Sequence, residues 1–335
     1  LSGKMTLTQA EAVMDIIGAA GNRELRFARA QQEGALYRRV RQITDQLVHC
    51  LGDLAAWADY PEDEIPAVTP EGLQQSLTAI LQPLEQTLAT YDYGRILRAG
   101  VSAVIVGKPN VGKSTLFNLL SGSQRSIVTE IAGTTRDVVE EQIRLGDVTL
   151  RLSDTAGLRE TEDIIEQIGV RRAGERLRDA DLILAVFDAT RPLDDDDRRM
   201  LEQLPEKPVI AILNKSDQPA LLEPAALQAQ FSRVISMAAK DGNGLEELRQ
   251  AVEELFYREQ VTPEMGVVSN ERQKQCLEHA RAQILQAQEA LKAGEMLDAV
   301  TVLLEEAADA LLTLTGERVS EAVVNDVFAR FCVGK

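Results

Sequence analysis

Apolar residues change their spacing twice along the chain. Residues 1–98 show helical periodicity with almost no strand-like pattern, whereas residues 99–258 alternate short apolar runs with helical segments. After Thr262-Pro263 the spacing becomes helical again. The middle of the chain therefore predicts a doubly wound α/β unit with helical segments on either side of it in sequence.

The middle segment contains six candidate strands, which are Val101–Val106, Val138–Leu145, Val148–Ser153, Leu182–Phe187, Val209–Leu213 and Arg233–Met237. Gly146-Asp147 is typical of a two-residue hairpin, so we expect one antiparallel edge strand in an otherwise parallel sheet. The first candidate strand is followed by a helix that begins at Ser114.

The flanking segments predict helices with recognisable ends. On the amino-terminal side these are Thr8–Ala20 with Thr8 as N-cap, continuous periodicity from Asn22 to about Tyr60, and a helix from Thr69-Pro70 to about Leu97. On the carboxyl-terminal side they are 269–293, 295–315 and 319–331, with Gly294 and Gly316 as stops. We expect 1–98 and 263–335 to pack as one bundle into which 99–260 is inserted; two separate bundles are the alternative.

Composition narrows the class of protein. The 335 residues include 53 acidic and 36 basic ones, for a net charge of −17, which disfavours unaided nucleic-acid binding through a broad positive face. The three cysteines are far apart and form no CxxC motif, as expected in a reducing cytosol. The longest apolar run, Leu182–Phe187, is too short to span a bilayer. We therefore predict a cytoplasmic protein with no membrane partner.

Residues 107–114 carry the strongest chemical signal. They read Gly-Lys-Pro-Asn-Val-Gly-Lys-Ser, the pattern of a phosphate-binding P-loop, and they lie between a predicted strand and a predicted helix. Gly107 and Gly112 permit a tight turn whose N–H groups face phosphate oxygens. Lys113 can reach the β- and γ-phosphates, and Ser114 offers a hydroxyl to Mg²⁺. The alternative for the octapeptide alone is a glycine-rich turn without function.

Four further motifs follow in a fixed order. They are Gly133-Thr134-Thr135-Arg136-Asp137, Asp154-Thr155-Ala156-Gly157, Asn214-Lys215-Ser216-Asp217 and Ala238-Ala239-Lys240. The second suits a water-mediated Mg²⁺ contact by Asp154 and a γ-phosphate contact by the Gly157 N–H. A carboxylate at Asp217 can accept two parallel hydrogen bonds from guanine N1 and N2, a pattern that adenine cannot offer. The order predicts a GTPase and disfavours an ATPase.

The predicted GTP-binding residues come from all of these loops. They are Asn110, Val111, Gly112, Lys113, Ser114, Thr115, Thr129, Thr134, Thr135, Asp154, Gly157, Asn214, Lys215, Asp217, Ala238, Ala239 and Lys240.

The catalytic segment lacks the usual water-orienting glutamine. Leu158 stands where Ras-like proteins carry it, and no arginine finger can be assigned in cis. Asn110 could bind a potassium ion through its amide oxygen, in the place of a finger arginine. Glu166 is a candidate for holding the attacking water, although an ordinary surface glutamate is the alternative. Asp194–Asp197 could suggest a metal cluster, but four adjacent carboxylates before a helix favour a role at its N-terminus.

These motifs resemble those of the MnmE (TrmE) family of tRNA-modification GTPases. The resemblance rests on the P-loop octapeptide, Gly-Thr-Thr-Arg-Asp, Asp-Thr-Ala-Gly-Leu-Arg at 154–159, the opening Leu-Ser-Gly-Lys-Met-Thr-Leu-Thr-Gln-Ala-Glu-Ala and the terminal Phe-Cys-Val-Gly-Lys at 331–335. It covers essentially the whole chain. It implies a Ras-like P-loop GTPase domain with a mostly parallel six-stranded sheet inserted into an all-α bundle.

The resemblance also implies partners and a reaction. An FAD protein, MnmG, would act with this chain to install an aminomethyl-type group at C5 of the wobble uridine of certain tRNAs, using a folate one-carbon unit. Two G domains would meet across their switch loops during hydrolysis. On this basis Asn110, Thr129, Ile131 and Thr134 bind K⁺, and Ser114, Thr135 and Asp154 serve Mg²⁺. Lys113 and Glu166 act in catalysis, and Arg136, Asp137 and Arg159 lie at the dimer contact.

Two departures from the family pattern stand out. Family members carry an N-terminal folate-binding domain, and this chain is expected to begin after that domain. Lys4 and Lys335 resemble positions that contact the folate, and the resemblance implies that a tetrahydrofolate binds there only when the N-terminal domain is present. Ala238 replaces the usual serine, and its backbone contact should survive.

The competing interpretations are an RNA-binding ribosome-assembly GTPase of the Era kind and a dynamin-like membrane scaffold. They would require basic or apolar surfaces that we do not find.

Overall fold

A computed structural model of the chain describes residues 5–59, 68–123, 140–153, 177–256 and 260–317. The chain divides into two compact units. One comprises Leu1–Arg98 with Glu259–Lys335, and the other comprises Ala99–Arg258. Among the described residues, no helix combines the length and the apolar character that crossing a bilayer requires.

The middle unit is built on a six-stranded sheet. Its strands are β1 (Val101–Val106), β2 (Glu140–Leu145), β3 (Val148–Ser153), β4 (Leu182–Asp188), β5 (Val209–Asn214) and β6 (Val234–Met237). They lie in the order β2-β3-β1-β4-β5-β6. β2 runs antiparallel to β3, and the other neighbours are parallel. The predicted α/β class and the antiparallel edge are confirmed, and so are the strands to within one residue at their described ends. Val138 and Val139, where the second strand was predicted to begin, lie outside the described residues.

Helices accompany the sheet, and those that the structure describes in full are Lys113–Ser123, Asp195–Glu202, Pro224–Gln228 and Leu245–Phe256. Every residue of β4 is buried, which explains why that strand reads as an unbroken apolar run. Because five strands share one direction, their carboxyl ends lie along the same edge of the sheet. The loops that follow these ends carry the candidate chemistry.

The turn between β2 and β3 is held by two features. Gly146 has φ +65°, a conformation that favours glycine, and Glu253 accepts a hydrogen bond from the Asp147 N–H at 3.1 Å. The hairpin therefore packs against the helix Leu245–Phe256.

The other unit is helical in the parts that are described. Its α-helices are Leu7–Gly18, Asn22–Gln32, Ala35–Asp59, Pro70–Leu88, Tyr91–Ala99, Glu271–Ala293 and Leu297–Thr315. Helices from both sides of the α/β segment contribute to one apolar core, in which Leu47, Leu77, Ile284 and Leu304 are fully buried.

Several predicted helix ends are confirmed. Thr69 caps the helix that begins at Pro70, with its side chain accepting from the Gly72 N–H. Gly294 and Gly316 end their helices with φ +73° and +88°. The predicted helix 319–331 lies outside the described residues.

Three helix predictions were wrong in detail. The N-cap of the first helix is Thr6 and not Thr8, because Thr6 and Gln9 form a reciprocal capping box. The periodicity from Asn22 is split at Gly34, whose φ of +87° cannot continue a helix. The helix expected to run to Leu97 stops at Leu88 and resumes at Tyr91. Between the two helices the Thr90 N–H donates to the Thr87 carbonyl, a tighter turn than an α-helix makes, and the Thr90 hydroxyl accepts from the Val268 N–H at 3.0 Å.

Candidate nucleotide-binding site

The P-loop occupies the carboxyl end of β1. Gly107 has φ +151°, and a methyl group added there would lie 2.5 Å from the Val186 carbonyl oxygen. Gly112 has φ +101°, and a methyl group there would lie 2.1 Å from Asn214 Nδ2. Both glycines are thus required by backbone conformation and by close packing. Asn110 adopts φ +64°, which asparagine tolerates better than most residues, and is exposed.

Lys113 begins the helix after the loop. Its Nζ donates to the Gly107 carbonyl at 2.8 Å and to the Lys108 carbonyl at 2.7 Å, so the side chain curls over the loop that it follows. Burial lowers the pKa of this ammonium from its ordinary value. The next residues, Ser114 and Thr115, are exposed on the first turn of the helix. A helix N-terminus with free N–H groups and a lysine is suited to bind phosphate.

Asn214 joins two of the predicted loops. Its Nδ2 donates to the Val111 carbonyl of the P-loop at 2.8 Å, and its Oδ1 accepts from the Ala239 N–H at 3.0 Å. The residue is only 3 % exposed. The sequence motif indicated that Asn214 lies near the base, but its two bridging contacts were not predicted. They reach Val111, 103 residues away, and Ala239, 25 residues away, which is beyond the range of local sequence patterns.

The loop after β5 turns sharply at Lys215. This residue has φ +65°, and its Nζ contacts Asp188 Oδ2 at 2.6 Å. The Gln218 N–H donates to the Lys215 carbonyl at 3.1 Å, which closes a turn that contains the exposed Asp217. Asp217 is thus accessible at the same edge as the P-loop.

Asp188 was not predicted from the sequence. It ends β4, and Thr190 donates to its Oδ1 from both N and Oγ1, at 3.0 and 2.7 Å. Burial favours a raised pKa for this carboxyl, but the hydrogen bonds from Lys215 and Thr190 outweigh it and the pKa is lowered. The only sequence signal was an acidic residue closing an apolar strand at the edge where the loops lie.

The loop after β6 completes the arrangement. Ala238 and Ala239 are buried, whereas Lys240 is exposed. The Asp241 and Gly242 N–H groups both donate to the Ala238 carbonyl at 3.0 Å, which makes a compact turn. Its Ala239 N–H is already bound to Asn214.

The acidic run at 194–197 is a helix N-terminus. Asp194 is the N-cap and accepts from the Asp196 and Asp197 N–H groups at 3.0 and 3.1 Å. Lys108 of the P-loop pairs with Asp194 and lies 3.8 Å from carboxylate oxygens of Asp196 and Asp197. The hydrogen bond from Lys108 lowers the pKa of Asp194 to about 2. Within the described ranges, no group of three or more His, Cys, Asp or Glu residues could hold a metal ion.

Two residues of the P-loop carry oxygens of the kind that the predicted cations bind. Hydroxyl and amide oxygens are ligands that Mg²⁺ and other hard cations accept, and both Ser114 and Asn110 are exposed. The remaining predicted site residues lie outside the described residues: Thr129, Ile131, Thr134, Thr135, Arg136, Asp137, Asp154, Gly157, Arg159, Glu166, Lys4 and Lys335.

The sequence of the chain is similar to one family model and to proteins of that family. The family model described as the MnmE helical domain matches residues 7–332. A protein of Acetivibrio thermocellus named tRNA modification GTPase MnmE is 38% identical over an alignment of 338 positions, which covers 100% of this chain and 74% of that protein. A protein of the same name from Geobacter metallireducens is 41% identical over 338 residues, with the same coverage.

Two solved structures are also similar to part of the chain. Era of Aquifex aeolicus bound to GDP.AlF4- is 28% identical with a TM-score of 0.39, over 55% of this chain and 67% of that chain. The G domain of the T. maritima FeoB iron transporter is 28% identical with a TM-score of 0.36, over 47% of this chain and 99% of that chain.

Proposed function

The chain belongs to the MnmE family and is a tRNA modification GTPase, and we propose that it hydrolyses GTP at the carboxyl edge of its sheet. In this proposal residues 99–260 are the G domain, and 1–98 with 263–335 are the helical domain. The P-loop binds the phosphates, and the loops after β5 and β6 bind the guanine.

One observation carries the assignment of the site. Asn214 hydrogen-bonds to the P-loop through Nδ2 and to the loop after β6 through Oδ1. A single buried side chain thus fixes the spacing between the phosphate loop and the proposed base loops. A nucleotide needs this fixed spacing, because its phosphates and its base must be bound at the same time.

The residues of the P-loop have distinct proposed roles. The Lys113 ammonium, which donates to two loop carbonyls, gives up one or both of these hydrogen bonds to contact the β- and γ-phosphates. The backbone N–H groups of residues 110–115 bind phosphate oxygens. Ser114 and Thr135 would hold Mg²⁺, Asp154 would contact it through water, and the Gly157 N–H would bind the γ-phosphate. Mg²⁺, when bound, neutralises charge that develops on the phosphates.

We propose that potassium supplies the charge for which no arginine finger was assigned. Asn110 is an exposed residue of the phosphate loop with left-handed backbone, and its amide oxygen is a ligand that a potassium ion can use. Backbone oxygens of Thr129, Ile131 and Thr134 complete the proposed K⁺ ligands. Since Leu158 cannot orient water, Glu166 holds the attacking water, directly or through a second one.

The proposed partners follow the family. An MnmG-type FAD protein and this chain together modify C5 of the wobble uridine of certain tRNAs, and the G domains dimerise through Arg136, Asp137 and Arg159. The one-carbon unit would come from a tetrahydrofolate bound near Lys4 and Lys335. Capture experiments should recover an FAD protein with tRNA; recovery of ribosomal subunits instead would favour an Era-like role.

Base specificity tests the site itself. The protein should hydrolyse GTP and not ATP, and Asp217→Asn should weaken GTP binding while permitting xanthosine triphosphate, because one acceptor becomes a donor. The matched control is Asp179→Asn, which changes an exposed aspartate before β4, at the opposite edge of the sheet from the proposed base loops. Unchanged GTP affinity in Asp217→Asn would show that the base loop is wrongly assigned.

A further inference from the structure

The carboxylate of Asp188 is shared by two groups of donors. Oδ2 accepts from Lys215 Nζ at 2.6 Å, while Oδ1 accepts from the backbone N–H and the hydroxyl of Thr190. The residue is 8 % exposed, so these partners replace most of its hydration. Because the hydrogen bonds overcome the cost of burial, the carboxyl pKa stays below its ordinary value and the group is charged at neutral pH.

Lys215 is held in a conformation that side-chain-bearing residues seldom adopt. Its φ is +65°, and such a conformation persists where the surroundings fix it from several sides. Here the Asn214 carbonyl accepts from the Ala189 N–H at 2.9 Å, and the Ser216 N–H donates to the Met237 carbonyl at 3.1 Å. These bonds fix the backbone on both sides of Lys215. The contact with Asp188 fixes its side chain.

The turn that begins at Lys215 contains Asp217. The Gln218 N–H closes this turn on the Lys215 carbonyl, so the direction in which Asp217 points depends on the geometry of Lys215. Asp217 itself is exposed. Its two oxygens can meet both guanine N1–H and N2–H only if the turn is correctly oriented, since paired hydrogen bonds are sensitive to angle.

We propose that Asp188 is a positioning residue for guanine recognition, which anchors the Lys215 ammonium so that Asp217 meets both base donors at once. The inference rests on the proposed assignment of Asp217 to the guanine. Asp188 does not touch the nucleotide; it acts through Lys215. Loss of the Asp188 carboxylate should therefore weaken the hydrogen bond between Asp217 and the guanine 2-amino group more than it weakens binding of the phosphates.

Substitution with asparagine isolates this role. Asp188→Asn keeps the size of the side chain but leaves one acceptor oxygen where two were used, so that Lys215 and Thr190 compete for it. Asp188→Ser is a second variant, because a serine hydroxyl can still accept from the Thr190 N–H in a local turn but is too short for Lys215. Whichever variant folds with a normal thermal transition is used.

The experiment compares GDP with inosine diphosphate, which lacks the amino group at position 2 of the purine. Dissociation constants for both are measured with the parent, the Asp188 variants, Asp217→Asn and Asp181→Asn. Asp181 precedes β4, at the opposite end of the strand from Asp188, and its Oδ2 accepts from the Ser102 N–H at 3.0 Å, so its variant controls for loss of a sheet-end carboxylate. The preference for GDP should fall about tenfold in the Asp188 variants, as for one lost hydrogen bond to a charged group, and stay unchanged in Asp181→Asn.

The turnover number gives the second readout. At saturating GTP the Asp188 variants should keep kcat within about twofold of the parent while KM rises, because the phosphates are bound elsewhere. Equal weakening of both diphosphates, or an unchanged preference, would overturn the inference and leave Asp188 with a structural role. If neither Asp217→Asn nor the Asp188 variants lose the preference for GDP, both the base-loop assignment and the inference about Asp188 fail. If Asp217→Asn loses the preference and the Asp188 variants keep it, only the inference about Asp188 fails.

Discussion

The side-chain amide of Asn214 lies directly against Gly112. A methyl group added to Gly112 would approach Asn214 Nδ2 to 2.1 Å, which is closer than any tolerated contact. The same amide holds the Val111 carbonyl at 2.8 Å, one residue before the glycine. The second glycine of the phosphate loop is therefore needed by the proposed base-binding side of the site as well as by the phosphate side.

Gly112→Ala should damage both sides of the site. The left-handed backbone alone costs about 1–3 kcal/mol with a side chain, and the Asn214 amide must move in addition. We expect GTP affinity to fall by at least about tenfold, together with a lower melting temperature. Nucleotide titration and thermal unfolding measure these two effects.

Gly122→Ala is the matched control for this prediction. Gly122 lies in the helix Lys113–Ser123, and nothing lies within 4 Å of a methyl group added there. Alanine in a helix is favoured over glycine by about 0.5–1 kcal/mol, so this variant should bind GTP normally and unfold at the same or a higher temperature. Equal GTP affinities for the two variants would contradict the packing argument.

Potassium should accelerate hydrolysis more than sodium does. An arginine finger is worth about 10³-fold or more in rate, and a cation held by Asn110 would take that place. Asn110→Ala should abolish the preference for K⁺ with only a modest loss of nucleotide affinity. Phosphate release in the two salts measures it, with the exposed Asn118→Ala as control. Equal rates in K⁺ and Na⁺ for the parent would end the potassium hypothesis.

Glu166→Ala should act on the chemical step. We expect kcat to fall by about tenfold or more at nearly constant nucleotide affinity, which is the pattern of a contact made mainly in the transition state. Potassium-dependent association of G domains should persist. Glu160→Ala, which changes another acidic residue of the same sequence segment, is the control. A parental rate in Glu166→Ala would return Glu166 to an ordinary surface role, and lost association would make it an interface residue.

The pair between Lys108 and Asp194 should give acid-dependent stability. The pKa of Asp194 is lowered from 3.8 to about 2, so its charged form is stabilised by folding. That contribution is fully present above about pH 4 and is lost as the pH falls toward 2. Asp194→Asn keeps a good N-cap but removes the charge. Its melting temperature should be lower than that of the parent near neutral pH and should converge with it toward pH 2.

Asp195→Asn controls for the loss of any charge in this turn. Asp195 pairs with Arg198 at 3.6 Å, whereas the ion pairs of Lys108 are with Asp194, Asp196 and Asp197. The control should show little change in melting temperature at any pH. A gap between Asp194→Asn and the parent that did not depend on pH would contradict the proposed role of charge.

Local patterns were sufficient for the strands and for several helix ends. Two strands were predicted to the residue. β1 lies between two parallel neighbours and has a nearly continuous apolar sequence, whereas β3 was recognisable from its alternation, in which Leu150 and Leu152 are buried. Gly294 and Gly316 were recognisable as stops because left-handed backbone favours glycine. The P-loop was recognisable for the same reason: its two glycines, lysine and serine are required locally by the turn and by phosphate chemistry.

Contacts between distant segments were beyond the reach of such patterns. The break at Thr90 carries no glycine or proline, and the hydroxyl of Thr90 accepts from the Val268 N–H, 178 residues away. Likewise, no spacing rule relates Asp188 to Lys215, which lie on neighbouring strand ends 27 residues apart.

The sequence by itself determined which elements form and which loops are proposed to carry phosphate and base chemistry, because backbone conformation and residue type are local properties. Only the tertiary structure decided how those loops are spaced and oriented. Asn214 hydrogen-bonds to the P-loop and to Ala239, and Asp188 accepts a hydrogen bond from Lys215. The physical reason is that a buried polar group must find its partners wherever the fold brings them, and the fold here brings them from separate strands to one edge of the sheet.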